Sequence, residues 1–330
     1  MQFTKIAATL NPDEKKRLAK ILLSFGVTHY IQNNPEEALV EFRALVDLFE
    51  GYDNPEIKRV VAQVLFCIGT IQEELRFLEK AIIGYRMVIR RFETLDDPDI
   101  RRVVAAAWYN TGIIRYDQNC LEKAVYAYQI VTDQYDNSDD QVIQRMVAQA
   151  WYNMGEAYHK QHRTEEAITA YCTMVTRFED SEDPDILHIL SKAWLNMSRT
   201  YYEQERLQDA LVTSRIVCER FRNLKKPVFQ RQVAHAWGFI GVILARLHRP
   251  EDALSALGIV TNRFENSVCP DILRAVAEAW FNIGVIHDEL NCPEEALAAF
   301  RTVIRMFENS DTLDIQQVVV KAVQAIREMQ

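Results

Sequence analysis

Basic side chains recur along the sequence at a fixed spacing of 43 residues, and they are the groups best suited to bind a charged partner. An arginine guanidinium can donate two parallel hydrogen bonds to a carboxylate. A column of such groups therefore predicts a surface for acidic side chains or a C-terminal carboxylate. The column consists of Lys16, Arg59, Arg102, Arg145, His188, Arg231 and Arg274.

Asparagines and aromatic residues form two further columns with the same spacing. At about 100° of rotation per residue, all three columns fall on one stripe of a helix. A primary amide donates and accepts hydrogen bonds, so it can bind a peptide group at both ends. The three columns together predict a surface that binds a peptide or protein segment. The predicted binding residues are Arg59, Arg102, Tyr109, Asn110, Arg145, Tyr152, Asn153, Asn196, Arg231, Arg274 and Asn282.

A structural interpretation of the basic column stays open beside the binding one. Asp99 lies three residues before Arg102, and four other members of the column have an acid at the same spacing. Such an i,i+3 pair on a helix surface contributes a few tenths of a kcal/mol, about 0.2–0.5. Arg145 lacks the pair, because Val142 occupies the acidic position. The column therefore fits either ligand binding or stabilisation of the helix surface.

No motif for catalysis or metal binding accompanies these columns. The sequence has no glycine-rich phosphate loop, no Gly-x-Ser-x-Gly and no His-Glu-x-x-His. Its six cysteines form no Cys-x-x-Cys pair, which predicts free thiols in a reducing, cytoplasmic compartment. We therefore expect no enzyme activity, no cofactor and no metal.

Composition narrows the class of partner further. The formal net charge is −9, which argues against nucleic acid as the partner. No apolar run reaches the roughly 18 residues of a membrane span, and the N-terminus has no basic leader followed by an apolar stretch. We expect a protein or peptide partner and no membrane.

Five tryptophans reveal the repeat that positions these columns. Trp108, Trp151, Trp194, Trp237 and Trp280 are 43 residues apart, and small residues follow at fixed offsets. A glycine lies four residues after this column in all but one repeat, and an alanine lies sixteen residues after it in every repeat. The predicted repeats are approximately 11–53, 54–96, 97–139, 140–182, 183–225, 226–268 and 269–311, with a cap at 312–330.

The nine prolines all open helical segments of the repeat. Proline is tolerated at the first helical position, and Asp97 or Asn54 before it is a good N-cap. This predicts a long helix A, as in 98–117, a short turn, and a helix B, as in 121–136. A polar eighth segment, 313–329, predicts a capping helix. Residues 1–10 precede the first repeat as a short extension.

The repeat resembles the tetratricopeptide repeat. Its segment Trp151-Tyr152-Asn153-Met154-Gly155, followed by Glu165-Glu166-Ala167 and Tyr171, is similar to the family's W-x-N-x-G … E-x-A … Y/F core. The common repeat has about 34 residues, so 43 looks like a long-helix variant. The resemblance implies an all-α fold, a right-handed α-solenoid forming one domain over 1–330, with a concave groove lined by the A helices.

Two functions fit these observations. The first is a protein-interaction scaffold that binds a peptide or protein segment in the groove, with self-association possible through the solenoid ends. The alternative is a sensor or regulatory subunit that binds a small peptide or anionic ligand and changes its superhelical shape. The sixth repeat is irregular, because Gly238 and Phe239 replace the aromatic residue and the asparagine. That change predicts a local pocket or bend, or reflects drift.

Overall fold

Fifteen α-helices form the computed structural model over residues 10–329, the part of the chain that the structure describes. Most of the short N-terminal extension lies outside these residues. The seven A helices are α1 (Pro12–Ile31), α3 (Pro55–Glu74), α5 (Pro98–Asp117), α7 (Gln141–Lys160), α9 (Pro184–Glu203), α11 (Pro227–Arg246) and α13 (Pro270–Glu289). The seven B helices are α2 (Pro35–Leu48), α4 (Leu78–Phe92), α6 (Leu121–Tyr135), α8 (Thr164–Phe178), α10 (Leu207–Phe221), α12 (Pro250–Phe264) and α14 (Pro293–Phe307).

The A helices begin where the sequence predicts, because each start has a local cause. The Asp97 carboxylate accepts hydrogen bonds from the backbone N–H groups of Asp99, at 3.1 Å, and Ile100, at 3.2 Å. Proline then follows at the first helical position, where no intrahelical N–H bond is lost. The predicted all-α solenoid of helix pairs is confirmed, with A helices of 20 residues each.

Each A–B turn contains one residue with left-handed backbone, and none of these residues is glycine. In the third repeat Asn119 has φ of 58°, and the N–H of Cys120 bonds to the carbonyl of Arg115 at 2.8 Å. Such 6→1 bonds satisfy carbonyls at a helix end. The sequence gives little sign of this conformation, because the equivalent residues include Arg76 and Glu205.

The glycine column marks the crossing of helices A and B. A Cβ placed on Gly112 would lie 2.4 Å from Cε1 of Tyr128, whose ring is 1% exposed. The recurrent glycine therefore makes room for a buried ring of helix B. The fifth repeat solves the same contact differently, because the Ser198 hydroxyl hydrogen-bonds that of Ser214 at 2.6 Å.

The tryptophan column is only partly enclosed. Trp194 is 5% exposed, whereas Trp108 and Trp237 are half-buried. The indole N–H of Trp108 is buried and has no hydrogen-bond partner. Smaller residues of helix A form the fully enclosed core, such as Val104 and Ala105.

The helices belong to two compact units, one ending at His162 and one beginning at Arg163. In the second unit α15 (Leu313–Glu328) packs on α13 and α14 and buries Ile315, Val318 and Ala322. This helix is the predicted C-terminal cap. The prediction of one continuous domain stays a prediction. Within the described residues, no helix combines the length and apolarity that a membrane span needs.

Candidate functional site

The predicted binding stripe lies on the A helices, and these helices contact one another within each unit. In the first unit α1, α3, α5 and α7 pack in sequence, and in the second α9, α11, α13 and α15 do so. We call the stripe formed by the basic, aromatic and asparagine columns the A face of that unit.

In the first unit the basic column connects each repeat to the next. The Nε of Arg59 donates to Asp97 at 2.7 Å, and Arg102 donates in the same way to Asp140. Both acids are N-caps of the following A helix. Burial alone would raise the pKa of Asp97, but Arg59 and two backbone N–H groups outweigh it and lower that pKa. These arginines therefore have partners within the protein.

The second unit repeats this pattern with acids in the first helical turn. Arg231 donates to Asp271 at 2.8 Å, and Arg274 donates to Asp314 at 3.1 Å. Arg231 lowers the pKa of Asp271 below its ordinary value of 3.8. Arg145, which belongs to the first unit, also interacts with another group of the protein. The structural interpretation of the column thus gains direct support from its ion pairs.

The asparagines of the first unit bind tyrosine hydroxyls of the preceding repeat. The amide of Asn110 donates to the Tyr85 hydroxyl at 3.2 Å, and that hydroxyl donates to Glu73 at 2.7 Å. The amide of Asn153 donates to the Tyr109 hydroxyl at 3.4 Å. Burial raises the pKa of Tyr109 to about 12, so its hydroxyl stays protonated at neutral pH. These amides hold consecutive repeats together.

The aromatic column packs against the ring of helix B. The Tyr109 and Tyr128 ring centroids are 6.0 Å apart, and those of Phe281 and Phe300 are 5.5 Å apart. Tyr152 is 5% exposed. The rings therefore contribute to the interior more than to the surface.

The A face of the second unit differs at the sixth repeat. A Cβ on Gly238 would meet no atom within 4 Å, so open space lies beside this glycine. Phe239 packs edge-on against Tyr202, with the ring centroids 5.3 Å apart. Asn282 occupies the asparagine column of the next repeat, is half-buried, and makes no side-chain hydrogen bond among the described residues. Asn196, on the preceding repeat, is engaged by another group.

A half-buried histidine, His235, lies one helical turn from this open space. Burial, together with the nearby charges of Arg274, Arg231 and Arg199, lowers the pKa of His235 to about 4. The imidazole is therefore neutral at pH 7, with one nitrogen as donor and the other as acceptor. Arg199 is exposed and makes no ion pair among the described residues. We call Arg199, Tyr202, Gly238, Phe239 and Asn282 the Gly238 surface.

Family models match two segments of the chain. Models described as tetratricopeptide repeat match residues 240–311 and 148–178. These two segments are tetratricopeptide repeats, which confirms the resemblance to that family. Both matches fall on A–B pairs, in agreement with the resemblance read from Trp151 to Tyr171.

Solved tetratricopeptide-repeat structures share the fold at low sequence identity. The apo form of RapI has 13% identity and a TM-score of 0.63, covering 94% of this chain and 87% of its own. A signal transduction ATPase with a tetratricopeptide repeat sensor, from Pyrococcus horikoshii, has 12% identity and a TM-score of 0.62, covering 96% and 46%. A tetratricopeptide repeat protein from Parabacteroides merdae has 13% identity and a TM-score of 0.50, covering 92% and 98%. No curated protein sequence matches the chain.

The structure shows two features of the site that the sequence analysis did not predict. One is the set of acids bound by the basic column, and the other is the pair His235 and Arg199. The acids bound by the basic column lie 38 or 40 residues downstream, so the period itself indicates them once N-caps are aligned. His235 and Arg199 have no such signal, because their columns vary in type from repeat to repeat. Among the described residues, no group of three or more His, Cys, Asp or Glu side chains is arranged to hold a metal ion.

Proposed function

We propose that this tetratricopeptide-repeat protein is an interaction scaffold that binds an extended segment of a partner protein at the Gly238 surface. The open space beside Gly238 is the observation that carries the proposal. In three other repeats a ring at this column, that of Phe66, Tyr109 or Phe281, packs on a ring of helix B, whereas here a ligand side chain can take that place.

The chemistry around the open space suits a peptide. The Tyr202–Phe239 pair offers an apolar wall, and the Asn282 amide has a donor and an acceptor that no described residue uses. Arg199 adds an unpaired guanidinium for a carboxylate, because acidic groups already occupy Arg231 and Arg274. The partner segment is thus extended, with one apolar side chain and an acidic group nearby.

The remaining predicted residues form a second, weaker candidate. In the first unit the A face contains Arg59, Arg102, Tyr109, Asn110, Arg145, Tyr152 and Asn153, and the second unit adds Asn196, Arg231 and Arg274. Their ion pairs and hydrogen bonds within the protein favour a role in stacking of repeats. They would bind a ligand only by exchanging those partners.

Selection of peptides tests the proposal. A display library of random peptides about twelve residues long, spanning about 40 Å when extended, is selected on the full chain. Gly238→Tyr fills the open space and Asn282→Ala removes the free amide, and each should weaken the selected peptides about tenfold or more. Gly258→Tyr is the matched control, since a Cβ on Gly258 also meets nothing within 4 Å, on the B helix of the same repeat.

Equal binding by wild type, Gly238→Tyr and Asn282→Ala would contradict the assignment to this surface. Loss of binding only in an Arg102→Glu, Asn153→Ala variant would move the site to the A face of the first unit. The sensor alternative is separated by X-ray scattering. A radius of gyration that falls on peptide binding favours the sensor, and an unchanged one favours the scaffold.

A further inference from the structure

A second depression lies in the second unit, between the B helices α10 and α12, with α11 as its floor. It has a volume of about 530 Å³, within the range of about 300–1,000 Å³ that is usual for ligand pockets. It shares no residue with the Gly238 surface. We call it the Trp237 groove. Its lining residues are Arg215, Cys218, Glu219, Arg222, Trp237, Ile240, Leu244, Asp252, Ser255, Ala256, Ile259 and Arg263.

Two side chains that cover the equivalent position in the third repeat are replaced by shorter ones in the sixth repeat. In the third repeat Tyr126 lies edge-on to Trp108, with ring centroids 6.0 Å apart. The equivalent of Tyr126 in the sixth repeat is Ser255, which is too short to cover Trp237.

The groove is also open beside Leu244, for a similar reason. Arg115 in the third repeat reaches across to Glu79 of the preceding B helix, at 2.8 Å. Its equivalent in the sixth repeat is Leu244, which is buried and makes no such bridge. Trp237, which is half-buried, therefore lines the groove beside these two shorter side chains.

The floor of the groove is apolar and neutral. Ile240 and Leu244 are at most 3% exposed, and Ala256 lies beside them. Cys218 is buried, and burial raises the pKa of its thiol to about 12, so no thiolate forms at neutral pH. Such a floor favours an apolar side chain, because its burial removes apolar surface from water.

The rim of the groove is positively charged, although the chain as a whole is acidic. Arg215 and Arg222 are exposed and make no ion pair among the described residues. Arg263 donates only to neutral oxygens, those of the Arg222 carbonyl at 2.8 Å and of the Gln230 amide at 3.0 Å.

Two acids also line the rim without cancelling this charge. The carboxylate of Asp252 is already paired with Arg249, at 2.6 Å. Glu219 is then the one remaining acid of the lining, against three arginines. The rim therefore complements carboxylates, which arginines can bind through two parallel hydrogen bonds.

We propose that the Trp237 groove binds an acidic segment of another protein, inserting one apolar or aromatic side chain onto Trp237 while its flanking carboxylates bind the arginine rim. A buried aromatic anchor surrounded by charged contacts is a common composition for the centre of an interface. This surface is independent of the Gly238 surface, so the chain holds two partners or two segments of one.

The test uses a display library of random peptides about ten residues long, which span about 30 Å when extended. Peptides are selected on the full chain and then passed over the Ser255→Tyr variant, which places in the groove the residue that covers Trp108. Peptides lost by this variant should be enriched in Asp and Glu around one Phe, Trp, Leu or Ile. Their Kd should rise about tenfold or more in Ser255→Tyr and in Arg222→Glu.

Val212→Tyr is the matched control, because Val212 occupies the same column of the fifth repeat, is exposed, and does not line the groove. It should leave the affinity unchanged. The proposal is overturned if no peptide distinguishes wild type from Ser255→Tyr, or if the distinguished peptides carry no excess of acidic residues. It is also overturned if Gly238→Tyr removes the same peptides, since they would then report the Gly238 surface.

Discussion

At the residue scale, His235 shows how packing between repeats keeps a titratable side chain neutral. Its helix supplies Arg231, the following A helix supplies Arg274 and Asp271, and the preceding one supplies Arg199. Three nearby guanidiniums and burial all disfavour the imidazolium, and Asp271 opposes them only in part. The folded protein therefore holds this imidazole in its neutral form.

We expect stability to fall between pH 6.5 and pH 4 because of this residue. The folded-state pKa of His235 is about 4, below the ordinary value of 6.5. The unfolded chain therefore binds the proton first, and stability present above pH 6.5 is lost as the pH falls toward 4. His235→Gln should flatten this loss, as measured by urea midpoints at pH 7.5 and pH 5.

A second histidine, His188, serves as the comparison in this pH experiment. Burial also lowers the pKa of His188, with Lys192 and Arg231 adding to the effect. His188→Gln should flatten the same window to a smaller extent. An unchanged loss of stability in His235→Gln would show that this imidazole is not neutral in the folded protein.

At the element scale, the same residue type has opposite roles on one helix. Gly241 lies over Leu257, and a Cβ there would be 2.5 Å from the Leu257 side chain. Gly238, one turn earlier, faces open space. The sequence identifies the first glycine by its column, whereas only the structure shows that the second glycine leaves room.

Alanine substitutions should separate these two roles. Gly238→Ala should raise the free energy of unfolding by up to about 1 kcal/mol, because glycine is the poorer helix former. Gly241→Ala and Gly112→Ala should lower it by about 1–3 kcal/mol, because each overpacks the crossing of helices A and B. Chemical denaturation of the three variants measures the difference. A shift of the same sign in all three would contradict the assignment of the crossing.

The helix boundaries could be predicted because their causes are local in sequence. Asp97 and the proline after it specify one start, and the glycine column specifies the crossing. The partners of the basic column could not be read from a single helix, because Arg59 binds an acid of the next repeat. The Trp237 groove required the structure too, because it is produced by short side chains rather than by a motif.

At the scale of the whole molecule, the two ends of the chain have different surfaces. The C-terminal helix α15 covers the last repeat with Ile315 and Val318. On α1, in contrast, Ile21 is 49% exposed and Phe25 is 55% exposed. The predicted self-association through the ends stays a prediction, and the first repeat offers the larger apolar surface for it among the described residues.

Removal of the capping helix should promote self-association. A chain ending at residue 311 lacks α15 and so exposes the apolar faces of α13 and α14 that it covers. Sedimentation velocity should then show dimers or larger species at concentrations where the full chain has a lower mass. Val320→Ser is the control, because Val320 is 64% exposed on the outer side of the cap. A truncated chain with the same sedimentation as the full chain would mean that α15 is not a cap.

The Ser198–Ser214 hydrogen bond has a consequence for how repeats of this kind can be exchanged during evolution. In the third repeat Tyr128 is the counterpart of Ser214, and its ring fits only because Gly112 faces it. A serine in place of Tyr128 would leave a void beside that glycine. The two positions must therefore change together. Recombination that exchanges whole helix pairs keeps this match, whereas a crossover between helix A and helix B breaks it. Whole repeats are therefore the units by which the array can grow or be rearranged.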